Sequence, residues 1–154
     1  MSPLTSDQRA QTRPASARQW IRALAVAVSI TALSAPLLAV GSGDVAPSFS
    51  LAGPQGRVSL DAIRARGEWT YLDFWASWCG PCQMMAPAYE QAAKMLEPHV
   101  RLAKVNTEEE QTLAARFGIS SIPTLVLLRG GREVARQPGA LGLQDIVRWV
   151  RSKL

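Results

Sequence analysis

Cysteine and histidine are scarce in this chain: its 154 residues include two Cys and one His. Two cysteines do not make a disulfide-stapled miniprotein. A structural zinc site needs about four ligands, and Cys79, Cys82 and His99 fall short of that. No metal site is therefore expected, and His99, between Pro98 and Val100, reads as a surface residue. Also missing is any long Lys/Arg cluster in the body. The formal charge is +5, but Arg9, Arg13, Arg18 and Arg22 against Asp7 put +3 of it in the first 40 residues and leave +2 for residues 41–154. The basic total thus concerns targeting, and no nucleic-acid partner is expected. No internal repeat or low-complexity tract follows residue 44. With 47% hydrophobic and 19% charged residues, the chain fits one compact domain plus an appendage and does not fit a disordered polymer.

The appendage reads as an address. Ala23 to Val40 carry no charge, four arginines precede them and Gly41-Ser42-Gly43 follow. A positive lead, an apolar middle and a small-residue exit make a secretory signal peptide or an uncleaved signal anchor. The stretch is at the short limit for crossing a hydrocarbon core of roughly 30 Å, and Pro36 weakens it as a permanent helix. Ala39-Val40-Gly41 offers a small-x-small cleavage site. The competing reading, an ordinary buried helix over residues 23–35, fits poorly with a run that has no polar face. Residues 1–43 are accordingly assigned to signal or anchor plus linker, and 44–154 to a single domain. The arginines should stay in the cytoplasm and the body should be exported, with membrane contact through residues 23–40 if they are not removed.

In the body, Asp44 to Arg57 reads as an extended lead-in with turns, and Ser59 to Arg66 as a short helix. Trp69 to Trp75 has the composition of a buried strand. A helical pattern then runs from about Gly80 to Glu97, with Met84, Met85, Tyr89, Ala92, Ala93 and Leu96 recurring at three and four and Pro87 expected to kink it. Val100 to Asn106 alternates as a second strand, and Thr107 is the expected cap of a helix over Glu108 to Arg116 with three glutamates in its first turn. Thr124 to Leu128, Gly130-Gly131 and Glu133 to Gln137 form a hairpin pattern, and Leu143 to Leu154 a terminal helix. Together these predict an α/β fold with a central mixed sheet flanked by helices on both faces.

Cys79 and Cys82 lie at the predicted strand-to-helix junction. Side chains three apart on a helix are about 5–6 Å apart at Cβ, so a disulfide can form and break there. Closing so small a loop stabilises little, which makes the pair a poor staple. Cys79 at the helix N-cap would be favoured as thiolate by unpaired N–H groups and the helix dipole. Cys82, one turn inside, would be more buried and would act second. Pro81 suits an early helical position because its missing donor is not needed there.

The phrase Trp78-Cys79-Gly80-Pro81-Cys82, preceded by Asp73-Phe74-Trp75-Ala76 and followed by Pro87, resembles the thioredoxin family. The likeness continues through Ala103-Lys104-Val105-Asn106, Arg116-Phe117-Gly118-Ile119, Ile122-Pro123-Thr124 and Gly139-Ala140-Leu141, and covers roughly residues 68–154. It implies a thioredoxin fold, with Cys79 as attacking and Cys82 as resolving thiol. It further implies that Asp73 is the buried carboxylate exchanging protons with Cys82, and that Lys104 pairs with that Asp. A carboxyl within an apolar strand has a raised pKa if buried, and the alternative is an Asp exposed at a strand end. Ile122-Pro123 matches the family's cis-proline loop, whose backbone pairs with substrate. Trp78, Gly80, Pro81, Gly139 and Ala140 would border the same groove. Plain core packing is the competing reading for Trp75 and Trp78.

Upstream, Ala46-Pro47-Ser48-Phe49-Ser50-Leu51 and Val58-Ser59-Leu60 are similar to the lead-in of exported, membrane-tethered thiol reductases serving cytochrome c maturation. The stretch after Cys82 lacks the strand-helix insertion that those proteins carry. The family resemblance implies a protein-disulfide reductase, since thioredoxins poise about 150 mV below a strong periplasmic disulfide oxidant and Gly80-Pro81 matches the reducing end of that scale. It further implies no cofactor, a monomer and disulfide-containing protein substrates; taken with the signal-like N-terminal layout, it places these in an exported, periplasmic compartment, where an upstream thiol donor such as a membrane reductase is expected. A client dedicated to cytochrome c maturation, or a redox-inert peptide-binding chaperone, are the alternatives.

Overall fold

The computed structural model describes residues 39–53 and 56–154. The apolar run at 23–40 and the arginines before it therefore lie, apart from Ala39 and Val40, outside the described residues. Among the described residues no helix is long and apolar enough to cross a membrane.

Ten elements follow in chain order: β1 (Ser50–Gly53), β2 (Gly56–Ser59), α1 (Leu60–Arg66), β3 (Trp69–Trp75), α2 (Gly80–Leu96), β4 (Val100–Asn106), α3 (Gln111–Arg116), β5 (Thr124–Arg129), β6 (Arg132–Pro138) and α4 (Leu143–Arg151). The main sheet runs β4-β3-β5-β6. β3 and β4 are parallel and joined through α2, whereas β5 is antiparallel to both β3 and β6, so the expected mixed sheet is present. β3 is nearly continuous in apolar burial because both of its faces are covered. Leu72, Phe74, Ala103, Val105, Val126 and Leu128 face α1 and α3. Tyr71, Leu102, Leu125 and Leu127 face α2 and α4. The Tyr89 hydroxyl of α2 donates to the carbonyl of Tyr71 (2.8 Å), with that of Ala103 at 3.0 Å, which pins the helix to β3 and β4.

Local chemistry explains the joints. Ser59 Oγ caps α1 by accepting from Ala62 N–H. The β5–β6 turn needs its glycine pair: both have positive φ (54° and 79°), and a Cβ on Gly131 would come within 2.9 Å of Leu60 Cδ1.

Several sequence expectations are corrected. Part of the lead-in is regular structure, because Ser50–Gly53 and Gly56–Ser59 pair antiparallel, Leu51 opposite Val58, with both of these side chains buried. Thr107 does not cap a helix over 108–116. Its N–H and Oγ1 both donate to the Trp75 carbonyl (2.8 and 3.1 Å), and α3 starts at Gln111 with Glu110 as N-cap, so the glutamates precede its first turn. Met84, counted in the apolar recurrence of α2, is 76% exposed. α4 ends at Arg151, and α2 runs unbroken through Pro87.

Candidate active site

β3 delivers Asp73 and Trp75 to one end of the sheet and then turns through Ala76-Ser77-Trp78-Cys79 into α2. Cys79 is the N-cap of that helix, as its position in the sequence predicts: its Sγ accepts from Cys82 N–H at 3.2 Å, and Pro81 lies in the first turn. Cys79 and Cys82 form a disulfide with Cα atoms 5.2 Å apart. In this oxidised state Cys82 is no more buried than Cys79, at 3% and 4% exposure. A helix N-terminus that offers free N–H groups and a positive dipole end to a sulfur favours the thiolate over the thiol when the bond is opened.

Around the sulfurs, Ala76 completes a small buried cluster against which Trp75 and Ile122 pack. The Ile122-Pro123 peptide bond is cis, as expected from the motif, and so is Glu97-Pro98. Gly139, at φ 92°, donates its N–H to the Pro123 carbonyl (2.8 Å), which brings the Gly139-Ala140 segment beside the cis-proline loop. Leu141 N–H in turn approaches Met85 Sδ of α2 at 3.5 Å. Trp78 is 72% exposed, which removes core packing as its explanation, while Trp75 is half-buried. Gly80, Pro81, Gly139 and Ala140 are exposed and Ile122 is half-buried, whereas Pro123 is buried.

Asp73 is buried at 1% exposure, so it is not an exposed strand-end carboxylate. Its Oδ1 has no hydrogen-bond partner among the described residues. Burial raises its pKa to about 6, against the opposing pull of Lys104. Lys104 sits directly across from it in the β3–β4 register. The ammonium group lies over the Trp75 ring, 4.8 Å from the centroid, so Lys104 acts on Asp73 through the field and not through a short ion pair. Tyr71 and Tyr89 are pushed up chiefly by their own burial and secondly by the charge of Asp73. A cavity of about 840 Å³, lined by Tyr89, Ala93, Lys94 and Lys104 among others, opens beside α2 and reaches neither cysteine.

Ser77, Gln83 and Glu108 were not legible as site residues. Glu108 Oε2 accepts from both Ser77 N–H (2.8 Å) and Ser77 Oγ (2.7 Å), and Gln83 Nε2 donates to the Ser77 carbonyl (2.5 Å). The available signal was topological: parallel neighbours β3 and β4 end at the same edge, where their following loops must meet. His99 is exposed, and among the described residues no group of three or more His, Cys, Asp or Glu could hold a metal ion.

Comparison with known proteins bears on this geometry. The family model described as Thioredoxin matches residues 61–152. Thioredoxin C-3 of Corynebacterium nephridii is 48% identical over 83 residues, covering 54% of this chain and 57% of its own length. Thioredoxin of Haemophilus influenzae is 41% identical over 83 residues, covering 54% of this chain and 78% of its own. Among solved structures, a single-substitution mutant of thioredoxin from Halobacterium salinarum superposes with a TM-score of 0.56 at 31% identity, covering 67% of this chain and 87% of the other.

Proposed function

Given that the chain belongs to the thioredoxin family of thiol–disulfide oxidoreductases, we propose that it reduces disulfides in other proteins, in an exported compartment. The observation that carries the reading is the Cys79–Cys82 disulfide on the first turn of α2, beside an exposed Trp78. With the pair reduced, the Cys79 thiolate attacks one sulfur of a client disulfide. A Cys79–client bond forms and the other client sulfur leaves as thiolate. Cys82 then gives up its proton, attacks Cys79 Sγ and expels the second client sulfur, which restores the disulfide. Asp73 is the acceptor for that proton in this reading, and a carboxyl with a pKa of about 6 is matched to accepting one near neutrality. Gly80-Pro81 between the sulfurs supports the reducing direction. The exposed Trp78 and Gly139-Ala140, with the half-buried Ile122 ahead of the buried Pro123, border the surface for an extended client segment.

Export is supported by the uncharged run at 23–40 behind four arginines. In an oxidising compartment each turnover consumes two electrons, so a thiol donor must recharge the pair. The purified protein should accelerate the precipitation of insulin by dithiothreitol, and no acceleration would remove the assignment. The Cys82→Ser variant should accumulate mixed disulfides on Cys79. A dedicated cytochrome c maturation reductase would trap a single kind of client, and a redox-inert chaperone would trap none.

A further inference from the structure

We propose that Glu108 is a positioning residue for client docking, holding in place the turn that presents Trp78 and Cys79; this rests on the protein-disulfide reading above. The turn is closed by Cys79 N–H on the Ala76 carbonyl (3.2 Å), with Ser77 and Trp78 at its two central positions. Both are exposed, so little apolar packing fixes the indole or the chain that carries it. Hydrogen bonds do that instead. Every polar group of Ser77 is engaged: its N–H and hydroxyl by a single oxygen of Glu108, its carbonyl by Gln83.

Glu108 is itself fixed. Its N–H donates to Asn106 Oδ1 (3.0 Å), its carbonyl accepts from Gln111 Nε2 (3.2 Å), and the preceding Thr107 is bound twice to the Trp75 carbonyl. The loop after β4 is thereby laced to the loop after β3. The Ser77 hydroxyl, and after it the Ser77 N–H, hold the Glu108 carboxyl below its ordinary value. Its position in solvent means that the charge itself adds little beyond those bonds. Glu108 touches neither sulfur. Its role is to keep Trp78 and the Cys79 backbone in one arrangement before a client arrives, which lowers the ordering cost of docking.

The side chain requirement follows. Gln at 108 keeps an oxygen at the same reach and can accept both bonds. Asp is one methylene short, and Ala removes the acceptor. The test measures kcat and KM for insulin and for a small nitrobenzoate disulfide, which needs Cys79 but no docking surface, with urea unfolding in parallel. Glu108→Ala and Glu108→Asp should lose about fivefold in kcat/KM on insulin, through KM, with no change on the small disulfide, and Glu108→Gln should retain the wild-type value. Ser77→Ala, which deletes one exposed hydroxyl, should lose about twofold. Combined with Glu108→Ala it should cost no more than Glu108→Ala alone. Equal insulin kinetics in wild type and Glu108→Ala, or a loss shared by the small disulfide, would overturn the proposal. A wild type inactive on insulin would instead bring down the reading on which it rests.

Discussion

A carboxyl buried in the middle of an apolar sheet is stable as a neutral group and costly as an anion, and Asp73 is in that position. Between pH ~4 and ~6 the folded chain holds a proton at Asp73 that the unfolded chain has already released. Rising pH therefore favours unfolding across that window. The contribution of Asp73 to stability is fullest below about pH 4, falls toward pH 6 and stays lower above. The displacement from 3.8 to about 6 corresponds to about 3 kcal/mol. Asp73→Asn should accordingly make the oxidised protein about 2–3 kcal/mol more stable than wild type at pH 8, with the two converging near pH 4, as read from urea unfolding at both pH values. If Asp73 accepts the Cys82 proton as proposed above, the same variant should reduce insulin more slowly. A stable but fully active Asp73→Asn would leave the carboxyl without a part in exchange.

The ends of elements carry a second buried charge, and here it is paired. Glu133 in β6 is 2% exposed, and Arg136 grips it twice, Nε on Oε1 at 2.7 Å and Nη2 on Oε2 at 2.8 Å. The same Nη2 donates to the carbonyls of Val40 and Phe117, so one guanidinium ties β6, the lead-in and the end of α3 together. Arg136→Met keeps the stem but strands the carboxylate. It should lower stability by about 3–5 kcal/mol in urea, and a much smaller loss would mean that Glu133 finds solvent by a local shift. Nothing in the sequence marks this pair, because Glu and Arg three apart on a strand are ordinary in composition and become buried only once the lead-in covers them. What periodicity and capping chemistry do reveal are the long elements: β3, α2, β4 and the β5–β6 hairpin lie within a few residues of expectation. The misread helix start has a tertiary cause. Thr107 and Glu108 have the local chemistry of a helix start, but tertiary contacts with Trp75 and Ser77 take their polar groups away. The cysteine pair was legible because its chemistry is local to one helix turn. The clamp around it was not, since it joins residues 31 apart in sequence.

At the scale of the molecule, the residues ahead of α1 close the sheet at both edges. Gly43 N–H and the Asp44 carbonyl pair with Glu133, Val45 bridges to Arg132, and Ala46 N–H donates to the Gly131 carbonyl, all along the otherwise free side of β6. Further on, β1 lies against β4, the opposite edge strand. A four-stranded sheet with two bare edges invites pairing with other chains, so this cover contributes solubility as well as core. Val40 belongs to this cover: its N–H donates to the Arg116 carbonyl (2.9 Å) and its own carbonyl accepts from Arg136 (2.8 Å). Val40 also packs on the core facing α1 and α3. It is part of the small-x-small sequence Ala39-Val40-Gly41, so a chain starting at Ser42 would lack these contacts. Compared with a chain that starts at Ala39, one starting at Ser42 should unfold with about 1–3 kcal/mol less stability, because the Arg116 carbonyl and the Arg136 guanidinium each lose a partner. The insulin rates of the two should agree, since Val40 takes part in no contact with the sulfurs, Trp78 or the cis-proline loop. Coincident urea midpoints would show that Arg136 and Arg116 satisfy themselves with water and that the fold begins at Ser42.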